Sequence, residues 1–132
     1  MSDWTSRLFI ASLAALSPIK MVMITVGFLI IADLFTGIWA AKSRGEKISS
    51  SVMRRTISKI FVYQLTVVSG FMLETHILDG VLPVAKIVAG FIGMVEIKSI
   101  LENSGHIVGG DVFKLILKKL GSTNDPDNKP KE

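Results

Sequence analysis

Twenty-one consecutive residues, Met21 to Ala41, carry a single charge, Asp33. A helix needs about 20 apolar residues to cross the hydrocarbon layer of a bilayer, so this run has the length of a spanning helix. It is apolar around its whole circumference rather than along one stripe, the pattern of a helix buried on every side. Two further apolar runs follow. Ile57 to Leu73, led by Lys59 and closed by Glu74, predicts a second spanning helix over 57–76. Val81 to Leu101 predicts a third over 81–101, with Lys86, Glu96 and Lys98 inside its limits. Glycines within these windows, such as Gly27, Gly70 and Gly90, do not argue against spanning, because no water competes for the backbone of a helix in lipid. With 49% hydrophobic residues among 132, the chain has more apolar side chains than one soluble core uses, and lipid is the simplest surrounding for the surplus.

The flanks are mixed in character. Ser2-Asp3 is a good helix cap, and Trp4, Leu8, Phe9, Leu13 and Leu16 alternate with Thr5, Ser6, Arg7 and Ser12, predicting a short helix over 4–17 that lies on the membrane. Arg7 ahead of a short apolar run also fits a signal peptide, but the next apolar run follows almost at once and no A-x-A site separates the two. Beyond Gly109-Gly110, Val112, Leu115, Ile116 and Leu120 oppose Lys114, Lys118 and Lys119, predicting an amphipathic basic helix over 110–120 for the inner leaflet. Residues 121–132, with Pro126 and Pro130, are too polar to fold alone and predict a disordered tail. The expected fold class is therefore an all-α integral membrane protein. Residues 1–120 form one membrane domain of three transmembrane helices, with an interfacial helix before them and a basic amphipathic helix after.

Charge placement orients the chain. Residues 42–59 carry Lys42, Arg44, Lys47, Arg54, Arg55 and Lys59 against Glu46, which predicts a cytoplasmic loop. Glu74, His76 and Asp79 between the second and third helices, with no Lys or Arg, suit the outer side. The amino terminus is then outside and the carboxyl terminus inside.

Enzymatic and nucleic-acid classes have little support. There is no cysteine, the two histidines are isolated in polar segments, and no P-loop or dinucleotide fingerprint occurs, so no catalytic residue, cofactor or metal is expected. The net charge of +4 comes without any nucleic-acid motif.

Asp33 is the informative residue. A carboxylate in mid-membrane costs about 2.5–3.5 kcal/mol on insertion scales, so it needs protein or water beside it. Helical spacing aligns Gly37 and Ala41 with Asp33, and sets Ala32, Thr36 and Ala40 on the adjacent line; Ala85, Ala89 and Gly93 repeat every four residues on the third helix. Such small-residue lines let backbones approach in lipid, either within a protomer or between protomers. At about 1.5 Å rise per residue, and with residues 41, 56 and 101 at one membrane level, Asp33 lies about 12 Å deep, Glu96 about 7 Å and Lys59 about 4 Å. A lysine stem spans much of that gap, which predicts a buried charge cluster of Asp33, Lys59 and Glu96, joined by Lys98. The competing reading is that Lys59 and Lys98 reach up to lipid headgroups. Lys86, near the outer end of its helix, is within reach of Glu74 or Asp79.

The segment Asp33-Leu34-Phe35-Thr36-Gly37-Ile38-Trp39-Ala40-Ala41-Lys42, then Ser49-Ser50 and Arg54-Arg55 through Lys59, resembles the toxin secretion/phage lysis holin family. Glu96-Ile97-Lys98-Ser99-Ile100-Leu101-Glu102-Asn103, a glycine-containing turn and a basic amphipathic helix are similar to that family's second signature. The likeness covers roughly Ala32 to Leu120. Where family members often have a glycine before the lysine-led helix, this chain has Met53-Arg54-Arg55-Thr56. The resemblance implies a protein of the bacterial host's cytoplasmic membrane that forms holes late in a phage cycle and releases an endolysin, without needing to touch it. Related proteins are linked to toxin export.

The expected function is a homo-oligomeric, non-selective lesion among membrane lipids. A small channel or transporter subunit, with Asp33 and Glu96 as coupling groups, is one alternative, although three helices offer no inverted repeat. A membrane anchor or adaptor recruiting a soluble partner through its basic segments is another.

Overall fold

The computed structural model describes residues 3–122, which form five α-helices and contain no strand. Helix α1, Asp3–Ala15, stops three residues before Pro18, whose ring disfavours α-helical geometry in the residue ahead of it. A tight turn, Ser17–Ile19, leads into α2, Lys20–Ser43. No residue of α1 is buried, and its chief contact is with that turn.

Helix α2 begins one residue before the apolar run 21–41 and ends two beyond it, then hands over to a short loop. There Gly45 takes a positive φ of 74°, Glu46 N–H donates to the Ala41 carbonyl, and the Arg44 guanidinium forks onto the Glu46 carboxylate at 2.7 and 3.1 Å. Helix α3, Ser50–His76, starts seven residues ahead of the expected boundary. Ser49 caps it by accepting from Ser51 N–H at 3.2 Å, and Arg54 and Arg55, which the charge count assigns to the loop, are helical. The reason is that arginine is a good helix former, so only the capping serine marks where the helix starts.

A turn through Asp79 and Gly80, both at positive φ, reverses the chain into α4, Val84–Val108. The expected end at Leu101 is overrun by two turns, and α4 stops only at Gly109, whose left-handed φ of 71° costs a glycine little. Helix α5, Val112–Ser122, is the amphipathic basic segment and folds back against α4. It takes in Gly121 and Ser122 from the stretch expected to be disordered; the rest of that expected tail lies outside the described residues.

Helices α2, α3 and α4 each pack on the other two, α2 against α4 most extensively. Their core is small: Ile19, Val26, Ile30, Val67 and Ala85, with Tyr63, Phe71, Val88 and Ile92 packed around it. Most other large apolar side chains point outward, among them Phe28, Phe35, Trp39, Phe61 and Phe91, each more than half exposed. Two segments, Ser17–Ser43 and Ser50–His76, are long and apolar enough to cross a membrane, and only 11% of each apolar window is buried by the rest of the chain. The core helix of a soluble protein would be mostly covered. Helix α4 has comparable length, but every stretch of it long enough to span holds Glu96 and Lys98 together with Lys86, Glu102 or both.

Candidate functional site

Because α2 and α3 run in opposite directions, the second half of α2 lies beside the first half of α3, and α4 returns parallel to α2. This places Asp33, Lys59 and Glu96 together. Lys59 Nζ donates to Asp33 Oδ2 at 2.9 Å and to Glu96 Oε2 at 2.7 Å, so one ammonium ties three helices. Glu96 is fully buried, and the side chains of Lys59 and Asp33 are 25% and 16% exposed. Asn103 Nδ2 donates to Asp33 Oδ1 at 3.2 Å and to Thr36 Oγ1 at 3.3 Å. The Thr36 hydroxyl in turn donates to the Ala32 and Asp33 carbonyls at 3.0 and 3.1 Å. Tyr63, one turn after Lys59, lies close enough to interact with Glu96.

Two carboxylates against one ammonium leave the cluster with one formal negative charge in excess. Glu96 Oε1 is buried with no hydrogen-bond partner among the described residues, as is Gln64 Oε1, although Gln64 Nε2 donates to the Met23 carbonyl at 2.8 Å. Nothing in this arrangement resembles a nucleophile with its base. Its chemical capability is mechanical and electrostatic, because it fixes the depth and rotation of three helices relative to one another.

Lys98 does not join the cluster. It lies two residues beyond Glu96, about 200° around the helix, and pairs instead with Glu102 at 3.4 Å on the exposed side. Nor does Lys86 meet Glu74: that carboxylate accepts the Ala85 N–H at 3.1 Å, near the start of α4, and Lys86 is exposed.

The small-residue lines serve contacts inside the protomer. A Cβ on Gly37 would stand 3.4 Å from Asn103 Nδ2, and one on Gly93 would stand 3.4 Å from Leu29 Cδ1. Ala40 and Ala85 are buried, and Ala89 packs on the core, while Ala32 and Ala41 are half-buried. Ala85 meets Gly70, where an added Cβ would touch the Ala85 backbone at 3.4 Å. The basic residues Lys42, Lys47, Arg54, Arg55, Lys118 and Lys119 are exposed; Arg44 pairs with Glu46, and Lys114 with Asp111 at 3.2 Å.

Sequence reasoning missed Asn103 and Gly70. Asn103 follows Glu96 by seven residues and so shares its helix face, but Asn103-Ser104-Gly105 reads as a turn. Gly70 carries no pattern of its own until Ala85 is placed opposite.

Apolar helices left open around a shared ionic centre define a helical membrane protein. The bacteriophage holin family model matches residues 12–124, and the chain belongs to that family. It is a family of membrane pore-forming proteins, not of enzymes. No curated protein and no solved structure matches the chain.

Proposed function

We propose that the chain assembles as a homo-oligomer in the cytoplasmic membrane of a bacterial host and opens non-selective lesions through which a phage endolysin reaches the wall. In this reading α2, α3 and α4 all span. Helix α4 joins the other two because Glu96 is sheltered and ion-paired, while Lys86 and the Lys98–Glu102 pair can reach water from nearer its ends. At about 1.5 Å per residue its 25 residues extend about 37 Å, enough for a hydrocarbon layer of about 30 Å. The loop of Lys42, Arg44 and Lys47 is cytoplasmic, with the amino terminus outside and the carboxyl terminus inside. Helix α1 rests on the outer surface and basic α5 on the inner one.

The observation that carries this reading is the Asp33–Lys59–Glu96 centre, buried among helices that are otherwise apolar and uncovered. Exposed apolar faces seek lipid or another copy, and the polar groups around Asp33 and Thr36 pair or meet water once copies gather. The endolysin need make no contact with the lesion.

Expression of the chain alone in bacteria, followed by dye uptake and by release of a co-expressed endolysin, tests the proposal. Dye uptake on expression and a changed lysis time for Asp33→Asn are expected. Membranes that stay dye-tight at high expression rule out a lesion, and an Asp33→Asn protein with unchanged insertion, oligomer size and timing removes the cluster from the mechanism.

A further inference from the structure

A groove of about 440 Å³ runs between α2 and α4, lined by those two helices alone. Met21, Thr25 and Leu29 form one wall, and Lys86, Gly90 and Met94 the other. The space beside Gly90 is open, with nothing within 4 Å of where its Cβ would stand, whereas a Cβ on Gly93 would meet Leu29 at 3.4 Å. From Lys86 to Ile97 the groove extends about 16 Å along α4. The Thr25 hydroxyl, its one polar side chain besides Lys86, is turned back onto the Met21 carbonyl at 2.9 Å. The lining is thus apolar along its length and cationic at one mouth. Lys86 forms no ion pair among the described residues.

We infer that this groove holds one acyl chain of an anionic phospholipid, with the headgroup phosphate on Lys86. The inference rests on the proposed spanning of α2 and α4, which puts the Lys86 mouth at a headgroup level. A length of hydrocarbon ending in a negative charge matches both parts of the site, the apolar lining taking the chain and the Lys86 ammonium, on the outer side in this reading, taking the charge. A helix from a second copy fits it less well, because no spanning helix brings an exposed carboxylate to that end: Glu74 is half-buried with one oxygen on the Ala85 N–H, and Asp79 lies in the turn beyond the helix ends.

The test is native mass spectrometry of the full chain in detergent, titrated with phosphatidylglycerol or phosphatidylcholine of identical acyl chains. One phosphatidylglycerol per protomer is expected, favoured about fivefold over phosphatidylcholine, because both offer Lys86 a phosphate but the choline cation cancels that charge in the latter. Lys86→Gln should abolish that preference while leaving weak binding of both lipids. Gly90→Leu, which fills the groove, should remove both with helicity unchanged. Equal binding of the two lipids by the unaltered protein, or a preference that survives Lys86→Gln, overturns the inference. So does full displacement by inorganic phosphate, which would show headgroup capture without the groove. Gly90→Leu that splits the oligomer yet keeps the lipid would give the groove to a second copy. A chain that is monodisperse in detergent-free buffer would instead bring down the spanning reading beneath it.

Discussion

Replacing Lys59 by methionine keeps the stem and removes the ammonium, so it isolates what the charge contributes to the bundle. In the native arrangement that ammonium is 2.9 Å from Asp33 and 2.7 Å from Glu96, and Glu96 has no exposure to solvent. Removing one partner of a buried ion pair costs about 3–5 kcal/mol, because the remaining charge stays desolvated. Partial exposure of Lys59 and Asp33 places this case at the lower end, about 3 kcal/mol. The loss should appear as a lower midpoint in detergent-denaturation curves followed by circular dichroism or by steric trapping. The triple variant Lys59→Met, Asp33→Asn, Glu96→Gln should recover most of it, since neutral groups of similar shape leave no stranded charge. If Lys59→Met costs less than about 0.5 kcal/mol, the range of exposed surface pairs, the lysine serves the lipid headgroups and the reasoning fails.

Asn103→Leu removes both donors to Asp33 and Thr36 and should cost about 1.5 kcal/mol in the same assay, with Thr36→Val adding little on top because the two residues share one network. Gly70→Val should push α3 off α4, since a Cβ already fills the space to van der Waals contact with the Ala85 backbone at 3.4 Å and leaves none for the two methyls beyond it; a loss of about 1–3 kcal/mol is expected, and an unchanged midpoint would mean that the two helices separate freely. In the loop, the hydrogen bond from Arg44 holds the Glu46 carboxyl below its ordinary value of 4.5. The pair's contribution is therefore present above the unfolded value and lost as pH falls through the lowered folded one. NMR titration of Arg44→Ala should return Glu46 towards 4.5, and a curve that does not move would sink the assignment.

How much of this was legible beforehand depended on whether a residue's role is local. The extent of α2 follows from sequence because Lys20 and Lys42 bracket a run whose single charge, Asp33, lies well inside it, and hydropathy alone marks both ends. The start of α3 did not follow, because positive charge identifies the side of the membrane rather than the end of a helix, and Arg54 and Arg55 satisfy both roles. The end of α4 is hidden from the sequence for a related reason: Asn103, Ser104 and Gly105 favour turns locally, whereas the hydrogen bonds from Asn103 across to α2 favour the helix continuing. For the charge centre, counting rise per residue could bring Asp33, Lys59 and Glu96 to neighbouring depths. It could not tell Glu96 from Lys98, which differ in rotation about the helix rather than in depth.

The ionic centre also sets a condition on the order of events as the chain emerges. Lys59 follows Asp33 by 26 residues, Glu96 follows Lys59 by a further 37, and Asn103 comes 70 after Asp33. The first helix must therefore wait with an unmatched acid until Lys59 on the second has been made, and the centre is complete only once Glu96 and Asn103 on the third have followed. A chain truncated before Glu96 would leave its lysine holding a single acid, and a ribosome pause in the loop around Gly45, ahead of Lys59, would prolong the interval in which Asp33 is open to water or to another molecule's lysine.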